Sequence, residues 1–405
     1  MTNPESNTHA GELIALEDRW GAHNYLPLDV VVERASGAWV YGIDGKRYLD
    51  CLSAYSALNQ GHCHPRILQA LAEQAARVTL TSRAFRNDQL PRFTEELARM
   101  CGMQMVLPMN TGAEAVETAI KAARRWGYTR KSIPRDQAEI IVCEHNFHGR
   151  TTTITGFSSE PDYRDGFGPF TPGFVTVPFG DEAALERAIT PNTCAFLFEP
   201  IQCEAGILIP PDGYLKAVAG ICRRQRVLLL ADEIQTGLGR TGRFLACQHE
   251  GVVPDVLILG KALSGGVYPV SAVVSSAEIL GVFRPGSHGS TYGGNPLACA
   301  VARAALRVIE EERLAERSAE LGAWVLEELR RIQHPHIREI RGRGLLAGIE
   351  LTVPARPYCE RLKDLGLLCK ETHDFVIRLA PPLITSREDL AWMLVQLRAV
   401  FAREG

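Results

Sequence analysis

The sequence predicts an α/β protein with a large domain built on a mostly parallel central sheet flanked by helices, plus a smaller α+β domain. Seven short apolar runs alternate with segments of helical periodicity through the middle of the chain. Continuous apolar runs are typical of strands that are buried on both faces of a parallel sheet. The length of 405 residues, 46 % of them hydrophobic, suffices for two or three structural units with a large core.

The first predicted unit is a small β-meander over residues 31–49, in which strand-like segments flank Asp44 and Gly45. An Asp-Gly pair between such segments is a strong hairpin signal. The apolar runs predict strands at residues 105–108, 140–143, 174–177, 195–198, 227–231, 256–259 and 270–274. Helix candidates lie between them at residues 113–126, 181–189 and 213–224. Strands that alternate with helices favour a layered α/β domain.

The pattern of predicted helices and strands changes in the C-terminal part of the chain. A long helical stretch rich in Ala, Glu and Arg covers residues 296–333, strand candidates follow at 337–351 and 376–379, and a final helix is predicted at 387–403. We therefore predict three regions. They are an N-terminal segment over residues 1–50 that packs with the small domain, a large domain over residues 51–289 and a C-terminal small domain over residues 290–405.

The charge pattern argues against two classes of partner. The 44 Lys and Arg residues nearly balance the 47 Asp and Glu residues, which gives a net charge of −3, and both signs are interspersed. Such a chain offers no basic stripe for nucleic acid and no polybasic segment for a membrane. The first 20 residues lack a basic start followed by an apolar run, and no run of about 18 apolar residues occurs. We predict a cytoplasmic protein that binds neither nucleic acid nor membrane.

The cysteines and histidines give no metal signal. Eleven cysteines are spread singly without a C-x-x-C pair, which predicts reduced thiols. The densest group of metal-binding residue types is His62, Cys63 and His64. It lacks a second pair of ligands at the spacing of a zinc finger, so no metal is predicted.

Two residues that follow apolar runs are candidates for chemistry. Run 227–231 ends in Asp232, and run 256–259 is followed closely by Lys261. Ligands of open α/β sheets collect at the carboxyl ends of the strands, so both side chains are expected at one pocket. A buried lysine needs a counter-ion or a task, commonly a Schiff base. Taken singly, Asp232 also fits a helix cap and Lys261 a surface lysine.

A third candidate is the helix start after run 105–108. Thr111 and Glu114 have the spacing of a capping box, and Gly112 permits close approach of a ligand to the backbone. Free N–H groups at a helix start bind anions such as phosphate, although a plain helix cap fits the motif as well. A lysine, a carboxylate and a phosphate cradle at one sheet edge are the parts that pyridoxal 5'-phosphate (PLP) requires.

Two glycine patterns support a competing hypothesis. Residues 237–242 match the dinucleotide fingerprint G-x-G-x-x-G, and residues 342–347 match its looser form. Neither opens a strand–turn–helix unit with an acid about 20 residues further on. A nicotinamide-dependent oxidoreductase is therefore kept as an alternative of a different class. Arg243 and Phe244 replace the Lys-Ser/Thr pair of a P-loop, which argues against hydrolysis of nucleoside triphosphates.

Three longer segments carry a family resemblance: DEIQTG at 232–237, LGKALSGG at 259–266 and GSTYGGNP at 289–296. In order and separation they resemble the signature of the class-III PLP-dependent aminotransferases, and the resemblance extends from about residue 21 to the C-terminus. Segments 23–25 and 55–65 are similar to the ornithine aminotransferase branch of that class, as is segment 286–291. The resemblance implies a fold-type-I PLP-dependent transferase and a homodimer with shared active sites.

The resemblance also implies roles for the cofactor-binding residues. Lys261 is expected to form the Schiff base and then to move a proton between the substrate carbon and the cofactor. Asp232 is expected to pair with the pyridinium nitrogen. Gln235 is expected to hydrogen-bond the phenolic oxygen of the ring, and Phe147 to stack on the ring.

The cofactor phosphate is expected on the first N–H groups of the helix that follows Thr111. These belong to Gly112 and Ala113. By the same resemblance, Thr291 and also Ser290 reach this phosphate from a second subunit. The dimer is then part of the active site.

Five further residues are expected to bind substrate, again by resemblance. Arg150 holds the distal carboxylate, Tyr25 contacts the α-amino end of ornithine, and Tyr55 lines the pocket. Arg378 binds the α-carboxylate of 2-oxoglutarate or glutamate, because a guanidinium binds a carboxylate with two hydrogen bonds. Glu204 pairs with Arg378 and masks it while ornithine is bound.

The expected reaction is transfer of the δ-amino group of L-ornithine to a 2-oxo acid, giving glutamate 5-semialdehyde and L-glutamate. Transamination of acetylornithine or another ω-amine is the close alternative. Two positions depart from the family pattern: Cys203 stands before Glu204 where glycine is usual, and His148 stands where some relatives carry tryptophan. Cys203 restricts the backbone beside Glu204.

Overall fold

The computed structural model describes residues 4–402, with side chains described from residue 9 onward. The helices are α1 Pro4–Trp20, α2 Ser53–Ser56, α3 Pro65–Ala75, α4 Leu90–Cys101, α5 Gly112–Arg130, α6 Thr152–Gly156, α7 Pro161–Arg164, α8 Glu182–Ala188, α9 Tyr214–Gln225, α10 Ala277–Leu280, α11 Pro296–Glu311, α12 Leu314–Arg330, α13 Arg356–Asp364 and α14 Arg387–Phe401. The strands are β1 Val32–Ser36, β2 Trp39–Gly42, β3 Arg47–Asp50, β4 Met105–Met109, β5 Glu139–Cys143, β6 Phe174–Val177, β7 Thr193–Phe198, β8 Leu228–Asp232, β9 Val256–Leu259, β10 Ser271–Ser275, β11 Ile337–Gly342, β12 Ala347–Leu351, β13 Leu367–Leu368, β14 Lys370–Thr372 and β15 Val376–Leu379.

The seven predicted apolar runs form one sheet in the order β4-β10-β9-β8-β7-β5-β6. Strands β6, β5, β7, β8 and β9 pair in parallel, and β10 is antiparallel to both β9 and β4. Every residue of β7 to β10 is buried. The sequence prediction of a mostly parallel sheet that is covered on both faces is confirmed.

Successive residues of the inner strands pack into different cores. Ile140 and Val142 of β5 belong to an apolar cluster that includes the inner face of α5. Ile141 and Cys143 belong to the larger cluster on the other face, which includes residues of α9 and α11. This alternation follows from the two-residue period of a strand, and it explains why the runs are apolar at every position.

Two smaller sheets lie outside the central one. The predicted meander forms β1-β2-β3, and β13 from the C-terminal region joins it in parallel with β3. The other sheet has the order β11-β12-β15-β14 with antiparallel pairing throughout. The N-terminal meander therefore contacts the C-terminal region directly. The domain limits at residues 50 and 289 stay a prediction.

The predicted long helical stretch over residues 296–333 is interrupted once. Two helices, α11 and α12, are present, and the chain turns between them at Arg313, whose φ is +52°. The sequence contains no proline or glycine at the turn around Arg313, so the helical pattern continues across it without a signal for a break. The N-terminal helix α1 was not predicted.

Arg240 connects the central sheet region with the C-terminal region. Its buried guanidinium donates hydrogen bonds to the Leu345 and Pro381 carbonyl oxygens at 2.9 and 2.5 Å and to Asn59 Oδ1 at 2.6 Å. Burial lowers the pKa of Arg240 to about 9. A guanidinium buried at this junction ties three segments of the chain together.

The glycines of the competing dinucleotide hypothesis have structural explanations. Gly239 and Gly242 both have positive φ, at +92° and +93°. A Cβ atom on Gly242 would lie 3.0 Å from Cα of Ala319 in α12. Residues 342–347 form the connection between β11 and β12, not the start of a helix. These patterns therefore serve close packing and turns.

The cysteines and the His62 group agree with ordinary structural roles. All eleven cysteines are unpaired, as predicted, and only Cys63 is exposed. His62 Nε2 lies 2.8 Å from Asp50 Oδ2, and His64 Nε2 lies 3.0 Å from Glu312 Oε1. The two histidines thus pair with separate carboxylates. Within residues 4–402, no helix is long and apolar enough to cross a bilayer.

Candidate active site

The carboxyl ends of β8 and β9 bring Asp232 and Lys261 to one edge of the central sheet. Asp232 is the last residue of β8 and pairs with Ile258 of β9, three residues before Lys261. Both side chains line a cavity of about 130 Å³. Six predicted cofactor residues line this cofactor cavity: Gly112, Ala113, Phe147, Asp232, Gln235 and Lys261.

The cavity changes the acid–base behaviour of Lys261. Burial lowers its pKa from 10.5 to about 8, and the negative charge of Glu204 opposes that effect. A lysine attacks a carbonyl carbon only as the neutral amine, so a lowered pKa increases the reactive fraction near neutral pH. The site therefore favours the chemistry expected of a Schiff-base lysine.

His148 holds the carboxylate of Asp232. The His148 Nδ1 donates to Asp232 Oδ2 at 2.7 Å, and the backbone N–H of Ile234 donates to Oδ1 at 3.1 Å. Both side chains are almost fully buried, at 0 % and 5 % exposure. His148 Nε2 is buried without a hydrogen-bond partner among the described residues. The histidine that replaces tryptophan of some relatives thus adds a charge-assisted hydrogen bond to Asp232.

Glu199 is a cavity residue that the sequence analysis missed. It follows the last residue of β7, and its Oε2 accepts a hydrogen bond from the backbone N–H of Phe147 at 2.9 Å. Burial, together with the charge of Asp232, raises the pKa of Glu199 well above its ordinary value. The same rule that selected Asp232, a polar residue directly after an apolar run, would have found it.

The start of α5 forms the predicted capping box. Thr111 Oγ1 accepts from the Glu114 N–H at 3.2 Å, and Glu114 Oε2 accepts from the Thr111 N–H at 2.9 Å. The next N–H groups, of Gly112 and Ala113, belong to residues that line the cofactor cavity. A Cβ on Gly112 would lie 2.9 Å from Cδ1 of Ile234, so a larger residue would require the Ile234 side chain to shift. This helix start is suited to an anion.

A second cavity of about 370 Å³ adjoins the first, and Phe147 lines both. We call it the substrate pocket. All five predicted substrate residues line it: Tyr25, Tyr55, Arg150, Glu204 and Arg378. The structure therefore brings together residues from five distant parts of the chain.

Glu204, Arg378 and Gln235 form a closed hydrogen-bonded triangle between the two cavities. Arg378 Nη1 donates to Glu204 Oε1 at 2.9 Å, and Arg378 Nη2 donates to Gln235 Oε1 at 2.8 Å. Gln235 Nε2 donates to Glu204 Oε1 at 3.1 Å. Burial alone would raise the pKa of Glu204, but the charges of Arg378 and Lys261 outweigh it and hold the pKa below its ordinary value. Glu204 is therefore ionised and paired.

The other substrate-pocket residues have distinct surroundings. The Arg150 guanidinium lies 3.6 Å from the ring centroid of Tyr163, another residue that the sequence analysis missed. The Arg378 guanidinium lies 5.5 Å from the ring of Tyr55. Tyr25 is 73 % exposed at the edge of the pocket. Cys203 is fully buried in a small apolar cluster and its side chain does not line the pocket.

Ser290 and Thr291 do not line the cofactor cavity of their own chain. Ser290 Oγ accepts a hydrogen bond from Asn110 Nδ2 at 3.0 Å, and Thr291 is exposed. This placement is compatible with a contribution to the cavity of a second subunit. The role of both residues stays a prediction.

Comparison with known proteins places this arrangement in a family. Residues 20–401 match the family described as aminotransferase class III. The chain belongs to the class-III aminotransferases. It has 62 % identity over 388 residues to the ornithine aminotransferase of Brevibacillus brevis, which covers 96 % of this chain and 97 % of that protein. The ornithine aminotransferase of Bacillus subtilis has 61 % identity over 389 residues and the same coverage.

Solved structures of aminotransferases superpose over nearly the whole chain. An ornithine aminotransferase from Toxoplasma gondii, with partial occupancy of PLP at its active site, gives a TM-score of 0.96 at 46 % identity and covers 97 % of this chain and 94 % of that chain. The acetylornithine aminotransferase of Elizabethkingia anophelis gives a TM-score of 0.91 at 50 % identity and covers 97 % and 99 %. The fold-type-I architecture and the assignment as an aminotransferase are thereby confirmed, and the oxidoreductase alternative is not favoured.

Proposed function

We propose that this class-III aminotransferase transfers the δ-amino group of L-ornithine to 2-oxoglutarate in a PLP-dependent ping-pong reaction. The products are glutamate 5-semialdehyde and L-glutamate. The names and identities of the bacterial relatives support this substrate pair. The pairing of Glu204 with Arg378 is the structural observation on which the proposal depends most.

The pairing addresses a selectivity problem of the two half-reactions. Ornithine must present its terminal amine, whereas glutamate must present its α-amine, and both carry an α-carboxylate. An unmasked Arg378 would bind that carboxylate in either substrate and place the α-amine at Lys261. While Glu204 is paired with Arg378, that guanidinium does not bind the α-carboxylate of ornithine. Ornithine therefore binds with its α-carboxylate elsewhere and its δ-amine at the reaction centre.

The residues of the cofactor cavity fit PLP. The cavity combines a lysine of lowered pKa, a buried carboxylate held by His148, and the start of α5. Phe147 supplies an aromatic face in the same cavity. When bound, PLP supplies a carbonyl that condenses with amines and a ring that accepts electrons from the adjacent carbon. Asp232 would hold the ring nitrogen, and Gly112 and Ala113 the phosphate.

Within this site the chain performs binding and proton transfer. Lys261 Nζ, once released, accepts the proton from the reacting substrate carbon and returns it to the neighbouring position. Asp232 stabilises a positive charge on the facing nitrogen, and His148 keeps the carboxylate oriented. The two cavities meet at Phe147, so a substrate held in the substrate pocket would present its reacting carbon to the cofactor cavity.

The substrate pocket supplies separate carboxylate sites. We assign the distal carboxylate of 2-oxoglutarate or glutamate to Arg150, whose guanidinium is oriented by Tyr163. The α-carboxylate of those substrates is assigned to Arg378 after Glu204 moves away. Tyr25 and Tyr55 line the region left for the α-amino and α-carboxyl groups of ornithine.

A homodimer completes the proposed site. Thr291 and Ser290, which lie outside the cavity of their own chain, would reach the phosphate in the cavity of a second copy, as the family resemblance implies. If so, dilution below the dimer dissociation constant weakens cofactor binding. Retention of wild-type cofactor affinity by monomers would overturn this part of the proposal.

The proposed function is tested by mixing the PLP-loaded protein with L-ornithine, N-acetylornithine and 4-aminobutyrate in turn. Absorbance follows conversion of the bound cofactor from its aldehyde to its amine form. Rapid conversion by ornithine alone supports the proposal, whereas faster conversion by N-acetylornithine would transfer the assignment to that substrate. The variant Lys261→Ala is expected to bind PLP without turnover, and full activity in it would refute the role of Lys261.

A further inference from the structure

A group of metal-ligating side chains lies at the substrate pocket outside the residues assigned to the reaction. His145 follows β5, Glu160 precedes α7, and His373 lies in the turn between β14 and β15. All three line the substrate pocket. Each offers one ligand atom, and these atoms all lie within 4.8 Å of one another.

The distances within this group suit a single ion. His145 Nδ1 lies 3.0 Å from Glu160 Oε1, and His373 Nε2 lies 3.4 Å from the same oxygen. Two ligand atoms bound tetrahedrally to one zinc ion at about 2.0–2.2 Å lie about 3.3–3.6 Å apart. Small side-chain rotations would therefore bring the three atoms around one ion. All three side chains are partly exposed, which leaves access for a hydrated ion.

The types of ligand atom in this group indicate which metal ion it would bind. Two imidazole nitrogens and one carboxylate oxygen suit Zn²⁺ and related transition metals, whereas Mg²⁺ prefers oxygen ligands alone. Three protein ligands leave a coordination position open, and here the neighbouring volume is the substrate pocket. Two of the ligands are already held together, because the backbone N–H of His145 donates to Ser159 Oγ at 2.7 Å, next to Glu160.

We propose that His145, Glu160 and His373 form a zinc-binding site that inhibits the enzyme when it is filled. The ion would tie two segments of the central sheet region to the β14–β15 turn of the C-terminal sheet. All three segments line the substrate pocket. Fixing them together restricts the passage of amino-acid substrates to Arg378 and Lys261.

The binding test uses the PLP-loaded protein and isothermal titration with ZnCl₂, with MgCl₂ as the ion control. We expect one zinc ion per chain. The variant His373→Asn, chosen because asparagine tolerates the φ of +50° at this position, should weaken zinc binding by at least about tenfold. Glu160→Gln should weaken it similarly. The matched control is His9→Asn, because His9 also faces a glutamate, Glu12 at 3.6 Å, but belongs to no group of three ligands among the described residues.

Equal zinc affinity in the wild type and in both site variants would overturn the proposal. So would a loss of affinity in His9→Asn as large as that in His373→Asn. The inhibitory effect is measured separately, as the zinc concentration that halves transamination, and His373→Asn should require about tenfold more zinc. Zinc bound at the site without inhibition would refute the inhibitory part. Because titration needs no turnover, failure of the zinc site is distinguishable from failure of the proposed function, on which only the inhibition assay rests.

Discussion

Substituting Glu204 by Ala is expected to improve glutamate as an amino donor relative to ornithine. The carboxylate accepts a hydrogen bond from Arg378 Nη1 at 2.9 Å, and Arg378 is 1 % exposed. In the wild type, the α-carboxylate of glutamate must displace Glu204 before it reaches this guanidinium. In the variant that displacement is absent.

The size of the effect follows from the interaction that must be broken. A hydrogen bond to a charged group contributes about 1.5–3 kcal/mol. The ratio of kcat/KM for glutamate to kcat/KM for ornithine should therefore rise about 10- to 150-fold. Glu204→Gln keeps the shape and removes the charge, so an intermediate rise is expected.

The assay is the rate of cofactor conversion in single half-reactions with each donor, measured over a range of donor concentrations. Asp162→Asn is the control, because Asp162 also lines the substrate pocket, whereas the ion-pair partner of Arg378 is Glu204. It should leave the ratio within about twofold of the wild type. A ratio unchanged in Glu204→Ala would refute the masking of Arg378 by Glu204.

Three other substitutions test separate parts of the structure. In the cofactor-free protein, Lys261→Met should raise the free energy of unfolding at pH 7 by up to about 3 kcal/mol, because the folded state binds the lysine proton less tightly than the unfolded chain does. This difference in stability between variant and wild type should vanish as the pH rises from about 8 to 10.5. A difference that denaturant titrations find to be independent of pH would contradict the prediction. His148→Phe should weaken PLP binding about 10- to 100-fold, because it removes the 2.7 Å hydrogen bond to Asp232. An unchanged PLP affinity in a fluorescence titration would rule out a positioning role for His148. Arg240→Met leaves three buried acceptors without their donor and should lower the free energy of unfolding by about 3 kcal/mol or more. Urea titration measures this loss. A loss below about 1 kcal/mol would show that the three acceptors find other donors.

Much of the central sheet could be predicted because its strands are apolar at every position. The runs at 174–177 and 256–259 coincide with β6 and β9 residue for residue. Elements without such a signal were missed. The turn at Arg313 contains no helix breaker, and β13 has two residues whose pairing with β3 depends on a contact between distant parts of the chain.

The candidate site was predictable to the extent that its residues follow strands or form local motifs. Asp232 ends strand β8, Lys261 follows strand β9, and the capping box at Thr111 is a pattern of four residues. The hydrogen bond between His148 and Asp232 is a tertiary contact that no local pattern encodes. The same holds for His145, Glu160 and His373, whose positions in the chain match no metal-binding motif and which meet only through folding.

The pairing of β8 with β9 has a consequence for how this enzyme can be altered. Neighbouring strands are held about 4.8 Å apart by their hydrogen bonds, so the separation of the carboxyl ends of β8 and β9, beside which Asp232 and Lys261 lie, is a property of the backbone. Substitutions cannot readily retune it. The proposed substrate residues, in contrast, lie outside the sheet, with Tyr25 and Arg150 in loops and Tyr55 in the short helix α2. Engineering for a new amine is therefore best confined to those segments, where sequence can drift while the reaction centre keeps its dimensions.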